Sequence, residues 1–193
     1  GGFSVRNTSL CSYNSLPIDL IITFFMFAGG VNFVLYFSLI TGNTKLFRNN
    51  SEFKAYTAIF IIAALSIAFS LYRADCYSLV DSLRHGSFQA ISVMTTTGFA
   101  SADYLQWPDF AQMMLLALMF CGGCAGSTAG GIKVMRHVIV FKQSLLDLKR
   151  ILRPKAVYIL RDNDMTIKKG TILGVSSFII VYLIIQKLLE LFI

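Results

Sequence analysis

Charged side chains are scarce in this sequence: Asp, Glu, Lys and Arg make up 14% of its 193 residues. Soluble globular domains carry about a quarter of their residues as charged types. The hydrophobic share is high, at 55%. The shortage of charge therefore argues against an ordinary soluble domain.

Four long stretches contain no charged side chain at all, namely 20–44, 55–72, 110–132 and 170–186. A bilayer core roughly 30 Å thick is crossed by an α-helix of about 20 apolar residues, within a range of about 17–25. All four stretches have a suitable length. A soluble core could hold one such stretch but hardly four, so the sequence predicts an all-α integral membrane protein.

The net charge of +7 is distributed in a way that indicates membrane orientation and not a nucleic-acid partner. Three basic residues fall in 45–54 and nine in 136–169. The segments predicted on the opposite side hold only Arg6, Arg73 and Arg84, together with several aspartates. Cytoplasmic segments of membrane proteins carry the excess of Lys and Arg. Both basic segments are therefore predicted to face the cytoplasm, with the lipid bilayer as the surroundings.

Cysteine is also sparse, and its placement excludes a disulfide scaffold. Cys11 and Cys76 fall on the predicted outer side, where they could pair, but free thiols are the expected state. Cys121 and Cys124 form a lone C-x-x-C motif, whereas a structural zinc ion takes about four ligands. No metal centre, redox site or other cofactor is predicted.

The stretch 78–99 is predicted to enter the membrane and to leave it on the same side. Ser78 and Asp81 form the S-x-x-D pattern of a helix N-terminus, and the helix should end near Met94. The next five residues are Thr95, Thr96, Thr97, Gly98 and Phe99. Because the acidic residues on both sides of the stretch are expected outside, the helix and turn between them are re-entrant.

Glycine interrupts the third apolar stretch. Residues 121–131 hold five glycines, each of which disfavours a helix by about 1 kcal/mol relative to alanine. The helical part before them, from Phe110, covers about 18 Å, which predicts a break near the middle of the bilayer. A basic amphipathic helix should resume over 134–149.

The first span is predicted to run from Pro17 to about Ile40.

An internal repeat indicates a duplicated unit. Gly2-Phe3 recurs as Gly98-Phe99, and the M-F-A-G-G of 26–30 recurs as the M-F-C-G-G of 119–123. Both pairs occur in the same order, separated by a polar outer loop with a Pro and an apolar half-span. The unit is therefore predicted to consist of a span, a re-entrant helix, a Thr/Gly turn and a second span.

The predicted organisation follows from this unit. It assigns 1–41 to the tail of one pore repeat, 42–54 to a cytoplasmic loop, 55–148 to a complete repeat, 149–165 to a cytoplasmic connection, and 166–193 to the first helix of a further repeat. The sequence begins at Gly1 without Met and ends at Ile193 in hydrophobic sequence. It is therefore expected to be a fragment of a longer protein.

The Thr/Gly turn has the features of a site for a monovalent cation. A helix C-terminus carries about half a negative charge, and backbone carbonyls and Thr hydroxyls are oxygen ligands without formal charge. Gly98 allows a positive φ that turns a carbonyl toward an axis. An ordinary glycine turn, with its hydroxyls bonded to helix carbonyls, accounts for the same residues. The residues alone leave these two interpretations open.

Two segments together resemble the third repeat of the TrkH/KtrB family of Trk/Ktr-type potassium transporters. They are 92–99, S-V-M-T-T-T-G-F, and 122–136, G-G-C-A-G-S-T-A-G-G-I-K-V-M-R. The resemblance implies a potassium-channel-like pore of four M1–P–M2 units, in which M1 and M2 are spans and P is a re-entrant pore helix followed by one filter strand. It also implies K⁺ as the transported ion and the bacterial cytoplasmic (inner) membrane as the location.

The resemblance also assigns roles to single residues. The implied filter residues are Gly1, Gly2, Phe3, Thr95, Thr96, Thr97, Gly98 and Phe99, with Gly2 as the second filter glycine and Gly98 as the third. The implied gating loop comprises Gly122, Gly123, Gly126, Ser127, Thr128, Gly130, Gly131 and Lys133. The ammonium of Lys133 would either repel K⁺ near the cavity or extend toward the inner interface.

The implied partners are a second copy of the full-length pore subunit, giving a homodimer, and a cytosolic nucleotide-binding regulatory ring of the TrkA/KtrA type. The basic stretch 142–169 is the expected contact with that ring. An alternative is that these cations only fix the orientation in the membrane.

Other functions stay open on the residues alone. Another cation transporter with broken helices would share these features, and a non-transporting membrane assembly subunit could use the glycines to pack helices closely. An intramembrane hydrolase would pair Ser127 or Thr128 with His85 or His137, but no G-x-S-x-G elbow is present, so no enzyme is predicted. The sequence does not decide between K⁺ and Na⁺, or between a channel and an ion-coupled symport.

Overall fold

The computed structural model describes residues 9–13, 15–153, 161–162, 165–167 and 169–192. In these ranges the helices are α1 (Leu16–Gly29), α2 (Phe33–Ile40), α3 (Thr44–Asn49), α4 (Ser51–Arg73), α5 (Leu79–Met94), α6 (Asp109–Met119), α7 (Val134–Leu152) and α8 (Lys169–Phe192). Short 3-10 helices cover Ser9–Tyr13 and Tyr104–Gln106, and two antiparallel two-residue strands are β1 (Arg161–Asp162) and β2 (Met165–Thr166). The predicted filter residues Gly1, Gly2 and Phe3 lie outside the described residues.

Among the described residues, two helices are long and apolar enough to cross a membrane, Ser51–Arg73 and Gly170–Leu188. The bent pair α1–α2 adds a third if it is taken as one span. Helix α6 is apolar but has only 11 residues. It is short because the glycine-rich segment ends it, as the sequence predicts.

The chain divides into two compact units, Gly1–Val134 and Met135–Ile193. In the first unit α5 is the central helix, because it packs against α1, α4 and α6. Its side chains Phe88, Ile91 and Met94 are fully buried. The predicted re-entrant helix is thus the innermost element of this unit.

Close packing of α5 on α4 depends on a small residue. A Cβ on Gly86 would lie 3.2 Å from the backbone nitrogen of Ala68. In lipid no hydrophobic driving force holds helices together. Small residues at such crossings instead let the two backbones approach closely and pack well. The close packing of α4 on α5 fixes the position of Met94, where α5 ends and the T-T-T-G-F segment begins.

The predicted N-terminus of α5 is confirmed. The Ser78 hydroxyl accepts a hydrogen bond from the backbone N–H of Asp81 at 3.2 Å and donates to the Asp81 carboxylate at 2.7 Å. The helix then runs for 16 residues to Met94, about 24 Å at 1.5 Å per residue. This reach is sufficient to carry the chain from one membrane surface into the bilayer.

The segment predicted as one span over 17–40 is divided in the structure. Helix α1 ends at Gly29, α2 begins at Phe33, and their axes differ by 95°. The Asn32 side chain accepts from the N–H of Val34 at 2.9 Å and so caps α2 as a new helix. We call residues 29–33 the elbow.

The segment 42–54, predicted as a cytoplasmic loop, contains regular structure. Helix α3 (Thr44–Asn49) lies inside it, and α4 begins at Ser51, before the uncharged stretch starts at Ala55. The Asn50 side chain accepts from the N–H of Phe53 at 2.7 Å and caps α4. The first turn of α4 therefore lies outside the uncharged stretch and contains the buried Glu52.

The second unit holds α7, the β1–β2 pair and α8 among its described residues. The Arg136 guanidinium lies 3.7 Å from the ring centroid of Phe178, which links α7 to α8 within this unit. Two basic residues, Lys149 and Arg150, occupy the last turn of α7. Cations are favoured at that end of a helix by its dipole.

Candidate functional site

The T-T-T-G-F turn, residues 95–99, begins where α5 ends. The backbone N–H and the hydroxyl of Thr95 both donate to the carbonyl of Ile91, at 2.9 Å and 2.7 Å. The hydroxyls of Thr95 and Thr97 lie 2.8 Å apart. The turn is therefore a direct continuation of the C-terminal end of α5.

Two residues of the turn have left-handed backbone. The φ angle is +81° at Gly98, as predicted, and +55° at Thr96. This conformation disfavours residues with a Cβ by roughly 1–2 kcal/mol but not glycine. The N–H groups of Thr97 and Gly98 both donate to the carbonyl of Ser92, at 2.9 Å and 3.4 Å. The backbone thereby reverses direction within three residues.

Two buried side chains of α5 hold the end of the turn and the residues that follow it. The Ser92 hydroxyl donates to the carbonyl of Phe99 at 2.6 Å, and Nδ1 of His85 lies 3.0 Å from the Ser101 hydroxyl. Ser92 is completely buried. Sequence reasoning assigned neither contact, although Ser92 is part of the motif, because a hydroxyl seven residues from its acceptor leaves no periodic signal.

A cavity of about 340 Å³ lies beside the turn. Its lining comes from α1, the T-T-T-G-F turn and the glycine-rich segment, and consists of Ile22, Phe25, Met26, Gly29, Thr95, Thr97, Phe99 and Thr128. Three separate segments that the sequence predicts to be functional or repeated therefore meet at one place.

The glycine loop, residues 120–133, connects α6 to α7 and is closed at its base. The N–H of Gly122 donates to the carbonyl of Ile132 at 2.8 Å, and the N–H of Val134 donates to the carbonyl of Gly123 at 3.1 Å. A Cβ on Gly122 would lie 2.3 Å from the carbonyl oxygen of Gly130. Only glycine fits at this crossing of the two sides of the loop.

The glycine loop is bonded to the elbow through backbone groups. The N–H of Cys124 donates to the carbonyl of Gly30 at 2.8 Å, and the N–H of Phe33 donates to the carbonyl of Gly126 at 3.2 Å. The N–H and the hydroxyl of Thr128 both donate to the carbonyl of Gly29, at 3.3 Å and 3.0 Å. Groups left without helical partners at both breaks thus satisfy one another, as lipid surroundings require.

The glycine loop also contacts the T-T-T-G-F turn directly. The N–H of Gly130 donates to the Thr96 hydroxyl at 2.8 Å, and that hydroxyl donates to the carbonyl of Thr95 at 2.7 Å. A displacement of the loop therefore acts directly on the turn.

Lys133 folds back onto the loop. Its ammonium donates to the carbonyl of Ala129 and lies 3.5 Å from the carbonyl of Ser127. The Ser127 hydroxyl donates to the carbonyl of Cys124 at 2.6 Å. The cation thus neutralises carbonyl dipoles inside the loop.

The hydroxyls considered for hydrolase chemistry donate to backbone carbonyls. Ser127 donates to Cys124 and Thr128 to Gly29, while His85 is paired with Ser101. A nucleophile instead needs a hydrogen bond to a base. In the described part of the chain, no group of three His, Cys, Asp or Glu side chains is arranged to hold a metal ion.

Two buried carboxylates in this unit escaped sequence reasoning. Asp19 lies 2.7 Å from the Arg84 guanidinium, and an oxygen of Glu52 accepts from the N–H of Ala125 at 2.6 Å. The partners are 65 and 73 residues apart. The one local signal was that each acid lies near the border of an apolar stretch. An exposed acid at a helix end would occupy the same position, so this signal does not indicate burial.

Comparison with known proteins supports the resemblance. The family described as "TrkH: Cation transport protein" matches residues 1–191. The Trk system potassium uptake protein TrkH of Salmonella typhimurium strain LT2 is 33% identical over 187 residues, which cover 96% of this chain and 39% of that protein. TrkG of Escherichia coli K12, also called a Trk system potassium uptake protein, is 31% identical over 183 residues, 94% of this chain and 38% of that protein.

A solved structure matches as well. The potassium transporter TrkH from Vibrio parahaemolyticus has a TM-score of 0.89 and 32% sequence identity, over 95% of this chain and 40% of that chain. The match confirms the predicted fold class, a helical membrane protein with M1–P–M2 architecture. The chain spans about two fifths of the length of these relatives. It belongs to the TrkH family of cation transport proteins.

Proposed function

We propose that the full-length protein takes up K⁺ across the bacterial cytoplasmic membrane, and that this chain supplies one filter segment and the gating loop of the pore. The observation that carries the proposal is the T-T-T-G-F turn, which reverses at a left-handed Gly98 directly after the C-terminal end of the buried helix α5. The names of the relatives as potassium uptake proteins support K⁺ as the ion.

The filter acts through uncharged oxygen atoms. The carbonyls of Thr95 and Phe99 accept hydrogen bonds from Thr96 and Ser92, so we assign the carbonyls between them, at 96–98, to the ion. The C-terminal dipole of α5 adds about half a negative charge nearby. Together these uncharged oxygen atoms and the helix dipole replace the water around a weakly hydrated cation without binding the ion too tightly to release it. Gly1, Gly2 and Phe3 supply the preceding filter segment, and the other repeats of the full-length protein complete the ring.

The glycine loop is the gate in this proposal. It lies against the T-T-T-G-F turn through the bond from Gly130 to Thr96 and lines the same cavity through Thr128. The proposed gating residues are Gly122, Gly123, Gly126, Ser127, Thr128, Gly130, Gly131 and Lys133. Glycines with φ of +73° at 126 and +70° at 131 let the loop rearrange without a Cβ penalty.

The proposed assembly is a homodimer of the full-length pore subunit with a cytosolic nucleotide-binding ring. The basic stretch 142–169 is the proposed ring contact, because its cations lie on the predicted cytoplasmic side.

Substitution of Gly98 tests the filter. In the full-length protein, Gly98→Asp should abolish K⁺ uptake, since a carboxylate adds formal charge where weak ligands are needed. Gly98→Ser should weaken discrimination between K⁺ and Na⁺, because a Cβ strains the left-handed backbone by roughly 1–2 kcal/mol. Growth at limiting K⁺ and uptake of radioactive rubidium, at equal expression and with competing Na⁺, measure both effects.

Gly42→Ser is the matched control. Gly42 also has a φ of +81°, but no atom of the described residues lies within 4 Å of the place a Cβ would take there. The control should retain uptake and selectivity because it introduces the same backbone strain outside the filter. Normal uptake and selectivity in both Gly98 variants would exclude this turn as the filter.

A further inference from the structure

Glu52 is a charged side chain buried in the first turn of α4, with 5% of its surface exposed. Burying a carboxylate is unfavourable unless strong partners compensate. One oxygen of Glu52 accepts the backbone N–H of Ala125 at 2.6 Å, a short, charge-assisted hydrogen bond. The acceptor lies on α4 and the donor lies in the middle of the glycine loop, so the bond fixes the loop to a different helix.

Ala125 lies between the two loop residues that bond to the elbow, so the contact with Glu52 also affects those bonds. Its two neighbours, Cys124 and Gly126, make the backbone bonds to Gly30 and Phe33 in the elbow. At its other side the loop directs carbonyls toward the ammonium of Lys133. A buried anion thus holds a loop N–H while a cation holds loop carbonyls, and the loop is fixed between charges of opposite sign.

We propose that Glu52 is a positioning residue that latches the glycine loop in its closed position. The proposal rests on the proposed function, in which that loop is the gate. An acid in a first turn also stabilises a helix N-terminus wherever it is exposed. Asp109 also lies in the first turn of its helix, α6, but is exposed. Asp109 is therefore a matched control for the role that any helix-end acid has.

The first readout is the accessibility of Cys124, which is completely buried beside Ala125. The full-length protein is prepared with every other cysteine replaced by serine, and the rate of Cys124 alkylation by N-ethylmaleimide is measured at several pH values. Rates are compared at equal thiolate fraction, because loss of the Glu52 charge by itself changes that fraction. Glu52→Gln keeps an acceptor but removes the charge, and should raise the rate about threefold. Glu52→Ala removes the bond and should raise it about tenfold. Asp109→Asn should leave the rate unchanged.

The second readout is rubidium flux per folded molecule in liposomes with quantified protein. Flux should rise in the same order, with Glu52→Ala above Glu52→Gln and with Asp109→Asn at the level of the parent. If Glu52→Gln folds normally and Cys124 alkylation does not change, or if Asp109→Asn accelerates it equally, Glu52 does not latch the loop. Faster alkylation without a rise in flux supports the latch and instead contradicts the proposed gate.

Discussion

Thr96 is the residue at which the T-T-T-G-F turn and the glycine loop meet. Its φ of +55° is unfavourable by roughly 1–2 kcal/mol for a residue with a Cβ. Its hydroxyl donates to the carbonyl of Thr95 and accepts the N–H of Gly130. Glycine would relieve the strain but would lose both bonds, so threonine at this position is strained and yet links the T-T-T-G-F turn to the glycine loop.

Gly122 shows what the crowding inside the loop requires. Gly122→Ala would place a methyl group 2.3 Å from the carbonyl oxygen of Gly130, and rigid backbone cannot move aside as a side chain can. We expect a loss of about 1–3 kcal/mol, the usual range for overpacking. The midpoint of thermal aggregation of the detergent-solubilised full-length protein should fall accordingly.

Gly174→Ala is the control for this substitution. A Cβ at Gly174 in α8 would have no neighbouring atom of the described residues within 4 Å, so the change should leave the midpoint unaltered or raise it slightly. Equal midpoints for Gly122→Ala and Gly174→Ala would contradict the tight packing of the loop.

Residues with local signals were predictable, and residues with distant partners were not. Glycine at position 98 predicts a positive φ because it lacks a Cβ, and the φ of +81° confirms this. Glu52 and Asp19 were missed because their partners lie 73 and 65 residues away and follow no repeat. The partner of a buried carboxylate depends on how helices pack, which a single sequence does not display.

At the scale of elements, the two broken helices form one structure. The elbow between α1 and α2 and the glycine loop between α6 and α7 bond through their backbones, so each break supplies the partners that the other lacks. The repeat in the sequence, M-F-A-G-G at 26–30 and M-F-C-G-G at 119–123, places the two breaks at equivalent positions of their units. In the proposed function, a movement of the glycine loop therefore also involves the elbow between α1 and α2.

Deletion of 126–130 tests the gate at this scale. It removes the bonds from the loop to Phe33, Gly29 and Thr96, each worth about 0.5–1.5 kcal/mol. If the loop occludes the pore, rubidium flux per folded molecule in liposomes should rise roughly tenfold. Lys133→Ala should raise it modestly or leave it unchanged, because it loosens only contacts within the loop.

The opposite outcome identifies a packing role. A loop that only fills space between helices would, on deletion, lower the yield of folded protein and the flux together. Reduced flux in deletion protein that is well folded, judged by a monodisperse peak in size-exclusion chromatography, would refute the gate.

Elements were predictable where the sequence carries caps or clustered glycines. Ser78 and Asp81 marked the start of α5, and five glycines in 121–131 marked the break after α6. The elbow was less visible, because Gly29 and Gly30 stand alone in an otherwise apolar stretch. Asn32, a good helix N-cap, was the remaining signal for a new helix there.

For the whole molecule, charge on the cytoplasmic side governs assembly as well as orientation in the proposed function. Reversal of Lys149, Arg150 and Arg153 to Glu should weaken co-purification of the full-length subunit with its nucleotide-binding ring, because like charges replace attraction at the proposed contact. Lys149 and Arg153 are exposed, and the half-buried Arg150 pairs with the Asp147 carboxylate at 2.8 Å. Quantified pull-down of the ring measures the effect.

Reversal of Lys45, Arg48 and Lys54 provides the control, since it changes the same number of charges on the same predicted side. Both variants should insert with the parent topology, checked by cysteine labelling from either side. If the parent and both variants bind the ring equally, the 142–169 cations do not contact the ring. Their one role would then be to set the orientation of the protein in the membrane.

The bonds between the glycine loop and the elbow have a consequence for biosynthesis. They join residues as far as 99 positions apart, as between Thr128 and Gly29. A ribosome adds about 5–20 residues per second, so the elbow exists roughly 5–20 s before its partner is made. For that interval the carbonyls of Gly29 and Gly30 must be satisfied by water or by the insertion machinery. The nascent chain therefore passes through a stage in which these carbonyls lack their final partners, and any delay in translating 120–133 prolongs it.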